Sequence, residues 1–119
     1  TARLVSAQAA DRAHTLASAI RIGEPAHAAA VAAAGADVAT VSDEQIVAAW
    51  RSLALEEGLF CEPSSAAGLA ALEADPLRGA RVVLTITGHG LKDPDAAAAY
   101  APPPGVVAAD ADAIAEAAR

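Results

Sequence analysis

The residues with the clearest chemical potential follow a short apolar run toward the carboxyl end of the sequence. Val82 to Ile86 is β-branched and uncharged, which predicts a strand buried on both faces at the centre of a parallel sheet. The turn Thr87-Gly88-His89-Gly90 follows, and its glycines allow a close approach of backbone to a ligand. Because ligands of open α/β sheets bind beyond the carboxyl ends of strands, Thr87 stands where a functional hydroxyl is expected. The alternative is that Thr87 only caps the turn.

Other polar residues offer less specific chemistry. Residues 91–93 stand where a dinucleotide-binding or phosphate-binding loop needs its later glycine, so both loops are excluded. Glu62 precedes a proline at a predicted helix start, where the helix dipole favours a carboxylate. The three histidines lack metal-ligand spacing and Cys61 has no companion, so no metal site is predicted.

Composition narrows the class of protein. At 119 residues the chain is one domain at most, and its formal net charge of −7 argues against nucleic acid and anionic membranes. The apolar runs are too short to span a membrane. Cys61 cannot form an internal disulfide, which suits a reducing cytoplasm. The first residue is not methionine, so we expect a processed or excised piece.

The most secure element is a helix that must support the site. Ser42-Asp43-Glu44-Gln45 predicts a capping box, and the apolar stripe after it includes Trp50 as a core anchor before Gly58 ends the helix. Helices and strands alternate without a repeat, which predicts the α/β class. The other predicted elements are a loop or frayed helix over 1–19, helices over 26–34, 62–72, 95–100 and 110–119, a strand over 37–41, a proline-rich linker over 101–105 and a strand edge at 106–107.

Three strings resemble one known family in sequence and in order. They are AIRIGEP at Ala19 to Pro25, EGLFCEPSSAAGLAAL at Glu57 to Leu72, and TGHGLKDPD at Thr87 to Asp95. They look like threonine synthases, which are pyridoxal-phosphate (PLP) enzymes of the tryptophan-synthase-β fold type. The resemblance covers roughly residues 15 to 97 and implies a partial three-layer, open, mainly parallel sheet with flanking helices.

The resemblance also implies roles for individual residues. Thr87 would meet the pyridine nitrogen of PLP, and Gly88 would let the backbone pass close to the ring. Glu62 and Ser64 would lie against the cofactor pocket. Arg21 would contact the substrate phosphate, with a surface or structural ion pair as the alternative. His89 would line the pocket.

The family's Schiff-base lysine and phosphate-cradling loop lie upstream of these strings, and Lys92, the only lysine here, has no match to that position. The interpretation is therefore a carboxyl-terminal segment of a threonine synthase, inactive alone, whose partners are the missing amino-terminal part and a small-molecule substrate in a cytoplasmic homodimer. The whole enzyme would convert O-phospho-L-homoserine and water to L-threonine and phosphate. Two alternatives stay open: a segment of a related PLP enzyme such as threonine dehydratase, and a stand-alone, non-catalytic α/β binding module.

Overall fold

The computed structural model describes residues 3–10, 14–101 and 105–118, and these form a small mixed α/β unit. Two strands pair in parallel and helices flank them, which confirms the predicted partial open α/β class. No helix among the described residues has the length and apolar character needed to cross a membrane. The elements are β1 (Val5–Ala9), α1 (Ala28–Ala33), β2 (Asp37–Val41), α2 (Asp43–Leu55), α3 (Pro63–Ala74), α4 (Pro94–Tyr100) and α5 (Ala111–Ala117), with 3₁₀ turns at Ser18–Ile20 and Gly90–Lys92.

The sheet joins β1 to β2 in register from Val5 opposite Asp37 to Ala9 opposite Val41. The strand predicted over 37–41 is therefore confirmed. The loop or frayed helix predicted over 1–19 is wrong at β1, because pairing with β2 outweighs the helix preference of the alanines. A side-chain ion pair between Arg3 and Asp37 lies at the exposed end of the sheet and adds little.

The helix α2 begins with the predicted capping box. The Gln45 N–H donates to Ser42 Oγ at 3.3 Å, and the Ser42 N–H donates to Gln45 Oε1 at 2.8 Å. The buried side of α2 presents Ile46, Trp50 and Leu53 to the core. The prediction of this helix and its anchor is confirmed.

The core lies mainly between α2 and α3. The buried face of α3 consists of small residues, so α2 can pack closely against it. The indole Nε1–H of Trp50 donates to the Cys61 carbonyl at 2.6 Å, which fixes the connection between the two helices. Trp50 thus contributes both apolar area and a buried hydrogen bond.

Two predicted strands are wrong. Val82 to Ile86 forms no ladder with any described residue, and the side chains of Val82 and Val83 are 39% and 87% exposed. A β-branched pattern favours an extended backbone, but a ladder also requires a second strand, and no described strand pairs with this segment. The strand edge predicted at Val106 and Val107 is also absent: neither residue belongs to a described strand, and both side chains are exposed. The linker predicted over 101–105 lies largely outside the described residues, which omit 102–104.

Candidate functional site

The turn at Thr87 to Gly90 is joined by its backbone to the residues that lead into α3. The Glu62 N–H donates to the Gly88 carbonyl at 2.9 Å, and the Gly90 N–H donates to the Phe60 carbonyl at 3.0 Å. These bonds flank an isolated antiparallel bridge between the two segments. The second and third family-like strings, far apart in sequence, therefore meet at this turn.

Glu62 is a buried carboxylate at the centre of that junction. It occupies the N-cap position of α3 but makes no side-chain capping bond. Its Oε2 lies 3.5 Å from Lys92 Nζ, and the two side chains are 7% and 64% exposed, respectively. Lys92, the only lysine of the sequence, is thus paired with Glu62.

The glycines of the turn are required by the packing of this chain itself. A Cβ built at Gly88 would overlap the carboxyl group of Glu62, and one at Gly90 would overlap the ring of Phe60. Neither glycine has a positive φ, so contact rather than backbone conformation demands their size. In the described structure the space beside both glycines is filled by side chains.

Ser65, which the sequence interpretation missed, makes the hydrogen bond in this region. Its Oγ accepts the Gly88 N–H at 3.0 Å, whereas Ser64 is half-buried and its hydroxyl makes no hydrogen bond with the described residues. Successive helical residues point about 100° apart, so only one serine of the pair can face the turn. The Ser64-Ser65 pair is apparent in the sequence, but which of the two faces the turn depends on how α3 is rotated against the core.

Thr87 lies at the open end of this junction. Its side chain is exposed, and its hydroxyl has no hydrogen-bond partner within the described ranges. The neighbouring Gly88 is held on both sides, by Glu62 and by Ser65. The arrangement therefore presents a neutral hydroxyl on a fixed backbone.

Arg21 lies in a loop that its own side chain helps to close. The Arg21 Nε–H donates to the Thr15 carbonyl at 2.7 Å, and the side chain is otherwise exposed. Ser18 Oγ lies 2.7 Å from Asp93 Oδ2, which ties this loop to the residues following the turn. This bond joins the residue before the first family-like string to the third string, whereas Arg21 itself makes no hydrogen bond or ion pair with the other described candidates.

The remaining titratable residues of the region play local roles. His89 is exposed, packs edge-on against Phe60 with centroids 5.5 Å apart, and accepts the Leu91 N–H through Nδ1 at 3.1 Å. Cys61 is buried, and burial raises the pKa of its thiol. No group of three His, Cys, Asp or Glu side chains that could hold a metal occurs in the part of the chain described.

Two surface grooves lie elsewhere, along α2 and α4. One of about 540 Å³ is lined by residues that include Val47, Arg51 and Tyr100. The other, of about 270 Å³, is more apolar and is lined partly by Trp50 and Phe60. Neither groove is lined by Thr87, Gly88, Glu62, Ser64 or Arg21. The candidate site is therefore not one of these grooves. It is defined by the contacts at the turn over residues 87–90.

The chain is similar in sequence to known proteins. The chain is 45% identical over 104 residues to a threonine synthase of Synechocystis sp., covering 82% of this chain and 27% of that protein. It is 47% identical over 92 residues to one of Methanocaldococcus jannaschii, covering 70% and 23%. It is 40% identical over 124 residues to one of Mycobacterium tuberculosis, covering 97% and 34%.

The chain thus spans about a quarter to a third of the length of these relatives. A profile described as pyridoxal-phosphate dependent enzyme matches residues 2–88, which include β1, α2, α3 and the turn as far as Gly88. On this match over most of its length, the chain belongs to the family of pyridoxal-phosphate-dependent enzymes.

Proposed function

We propose that this chain is the carboxyl-terminal segment of a threonine synthase and forms part of that enzyme's larger cofactor-binding domain. The whole enzyme would convert O-phospho-L-homoserine and water to L-threonine and phosphate. The observation that carries the proposal is the junction at Gly88, where two of the three strings that resemble threonine synthases are held together. The similarity to named threonine synthases supports the same assignment.

The residues of the junction fit PLP at one point. The exposed, unpartnered Thr87 hydroxyl suits a neutral partner for the pyridine nitrogen. When bound, PLP supplies an electron sink to the substrate. A neutral hydroxyl stabilises a protonated nitrogen less than a carboxylate would, so with Thr87 as its partner the cofactor ring would be a weaker electron sink. This is the electronic setting expected for elimination and replacement rather than transamination.

The other candidates would act around Thr87 in different ways. Gly88 and Glu62 would hold its backbone in place, because the Glu62 side chain fills the space beside Gly88. Ser64 would remain available to the cofactor, since Ser65 supplies the hydrogen bond to Gly88. Arg21 would offer its two terminal nitrogens to the substrate phosphate, because only its Nε is bonded among the described residues.

The chain alone would be inactive. Lys92 is the only lysine, and its ammonium group is paired with Glu62 at the junction. The lysine that carries the cofactor and the loop that holds its phosphate would come from a preceding amino-terminal part of the enzyme. We propose further that the complete enzyme is a cytoplasmic homodimer, and the free thiol of Cys61 suits a reducing compartment.

Inactivity can be tested directly on the purified chain. We expect no threonine from O-phosphohomoserine in the presence of PLP, and no PLP attached to Lys92 after borohydride reduction. Mass spectrometry of tryptic peptides would locate any such attachment. Stable, reducible attachment at Lys92 would overturn its assignment as a structural lysine.

The role of Thr87 can be tested in the enzyme that carries this segment. Thr87→Ser should keep most activity. Thr87→Val should weaken the interaction with the cofactor by roughly 1–3 kcal/mol, because the ring nitrogen is left without a hydrogen bond. Thr87→Asp should raise the proton affinity of that nitrogen and shift the cofactor absorbance and its pH dependence. Thr85→Val is a matched control, because Thr85 is an exposed threonine two residues away. Unchanged spectra with lowered melting temperatures would leave Thr87 a turn residue only.

A further inference from the structure

The loop over residues 14–22, here called the Arg21 loop, is held against the start of α2 by the carboxylate of Asp43. The Thr15 hydroxyl donates to Asp43 Oδ1 at 2.5 Å, and the Leu16 N–H donates to Asp43 Oδ2 at 2.9 Å. Thr15 is a buried polar residue, with only 3% of its surface exposed. Both oxygens of one carboxylate therefore bind the same part of the loop.

The hydrogen bonds continue from Thr15 to Arg21. The Thr15 carbonyl accepts the Arg21 Nε–H at 2.7 Å, and the Thr15 hydroxyl accepts the Ala17 N–H at 3.2 Å. Because a guanidinium group is planar, a bond at Nε restricts the direction in which its two terminal nitrogens point. Asp43 is thus linked to Arg21 through one intervening residue.

The Asp43 carboxylate is not needed to begin α2. Ser42 caps the helix and Gln45 completes the capping box, while Glu44 also places an acidic side chain in the first turn. Asp43 directs both of its oxygens away from its own helix and toward the loop. This use of the carboxylate beside a complete cap indicates that Asp43 serves the loop more than the helix.

A second tether holds the Arg21 loop independently of Asp43. Ser18 Oγ lies 2.7 Å from Asp93 Oδ2, and Ala17 is fully buried in the core. Loss of the Asp43 carboxylate should therefore leave the loop attached to the rest of the chain. We expect the change to fall on the direction of the Arg21 side chain.

We propose that Asp43 and Thr15 are positioning residues that aim the guanidinium group of Arg21 at the phosphate group of the substrate. The inference rests on the proposed function, in which Arg21 contacts that group. The two terminal nitrogens suit two oxygens of a phosphate monoester, because the planar fork can donate to both at once. These residues would thereby help to select a phosphorylated amino acid over the same amino acid without phosphate.

The first test measures the Arg21 bond in this chain by nuclear magnetic resonance. The Arg21 Nε–H should exchange with water more slowly than that of Arg81, an exposed arginine whose side chain makes no hydrogen bond with the described residues. In Asp43→Ala the Arg21 Nε–H should exchange at least about threefold faster. Glu44→Ala is the matched control, because it removes the neighbouring acidic side chain without touching the loop. Unchanged exchange in Asp43→Ala would overturn the proposal.

The second test measures ligand binding by the PLP-loaded enzyme that carries this segment, with inorganic phosphate as the probe. Asp43→Ala should weaken phosphate binding by about tenfold in calorimetry. It should raise KM for O-phospho-L-homoserine by a similar factor and change kcat less, because a binding contact is weakened. Glu44→Ala should leave both constants unchanged. A lower melting temperature for Asp43→Ala with an unchanged dissociation constant for phosphate would show a structural role only and would overturn the proposal.

Two conservative variants separate positioning from a folding defect. In Asp43→Asn the amide can accept the Leu16 N–H through Oδ1 and donate to the Thr15 hydroxyl through Nδ2, so most of the phosphate affinity should return. Thr15→Val keeps the buried shape but removes the hydroxyl, and it should weaken phosphate binding as Asp43→Ala does. If Asp43→Asn binds phosphate no better than Asp43→Ala, or Thr15→Val binds it like wild type, the proposal is wrong.

Threonine formation distinguishes this inference from the function on which it rests. An enzyme that makes no threonine, but in which phosphate binding depends on Asp43, would count against the proposed function and support the positioning role. An enzyme that makes threonine, with phosphate binding that does not depend on Asp43, would do the reverse.

Discussion

Gly88→Ala should destabilise the chain although alanine suits the backbone there. The new Cβ would overlap the carboxyl group of Glu62, which is 7% exposed and paired with Lys92. Displacing a well-packed buried group costs about 1–3 kcal/mol, and alanine returns about 0.4–1 kcal/mol by restricting the unfolded chain. We therefore expect the free energy of unfolding to fall by about 1–2 kcal/mol. Urea unfolding followed by the fluorescence of Trp50, the only tryptophan, measures this change.

A second glycine and a double mutant identify the cause. Gly68 lies inside α3, and a Cβ there would meet Leu84 Cδ2 at 3.6 Å, which is ordinary contact. Gly68→Ala should therefore stabilise the chain by roughly 0.5–1 kcal/mol. In a Glu62→Ala background the overlap is absent, so Gly88→Ala should cost almost nothing. If it costs as much there as in the wild type, the contact with Glu62 is not what requires a glycine.

Three further outcomes follow from the core and from the cap of α2. Trp50→Phe removes the donor to the Cys61 carbonyl and should lower the free energy of unfolding by about 1–3 kcal/mol in urea titrations followed by circular dichroism; a neutral effect would contradict this. Because burial raises the pKa of the Cys61 thiol, iodoacetamide should label it slowly in the folded chain at mildly alkaline pH and quickly in concentrated urea; equal rates would refute its protection. Ser42→Ala removes the cap and should cost about 1 kcal/mol. The Ser42 hydroxyl also lowers the pKa of the Glu44 carboxyl. The stability that comes from this Ser42–Glu44 interaction is therefore present above the ordinary pKa of the carboxyl and is lost as pH falls through the lowered value. The melting-temperature difference between wild type and variant should accordingly narrow in acid, and a constant difference would count against the linkage.

The sequence predicts local structure well where the residues that determine an element all lie within that element. The capping box, apolar stripe and closing glycine of α2 are all encoded within Ser42 to Gly58, and the helix forms there. Val82 to Ile86 carries an equally clear strand pattern, but pairing depends on a neighbour that no described residue supplies. The strand β1 was missed because its own alanines favour a helix, and it becomes a strand by pairing with β2.

Sequence reasoning anticipated which segments of the candidate site meet, but not the contacts between their side chains. Sequence placed Glu62 and Gly88 in one pocket, and they are in direct contact. The contact itself differs from the expectation, because the Glu62 side chain takes the space that Gly88 was expected to leave for a ligand. The hydrogen bond from Gly88 to Ser65 was not anticipated for a similar reason, because the rotation of α3 is fixed by packing and not by composition.

The register of β1 on β2 sets an order in which this chain can fold. Gln8 and Thr40 are paired although they lie 32 residues apart, whereas α2 and α3 are joined by the short connection over residues 56–62. Closing the longer loop costs roughly 1 kcal/mol more in chain entropy, so the helical pair should form first and the sheet later. In pulsed hydrogen exchange, amides of α2 should gain protection before the amide of Gln8, whose N–H faces β2 in this register; simultaneous protection would exclude this order. The half of the chain that buries Trp50 would then be able to form before β1 and β2 have paired.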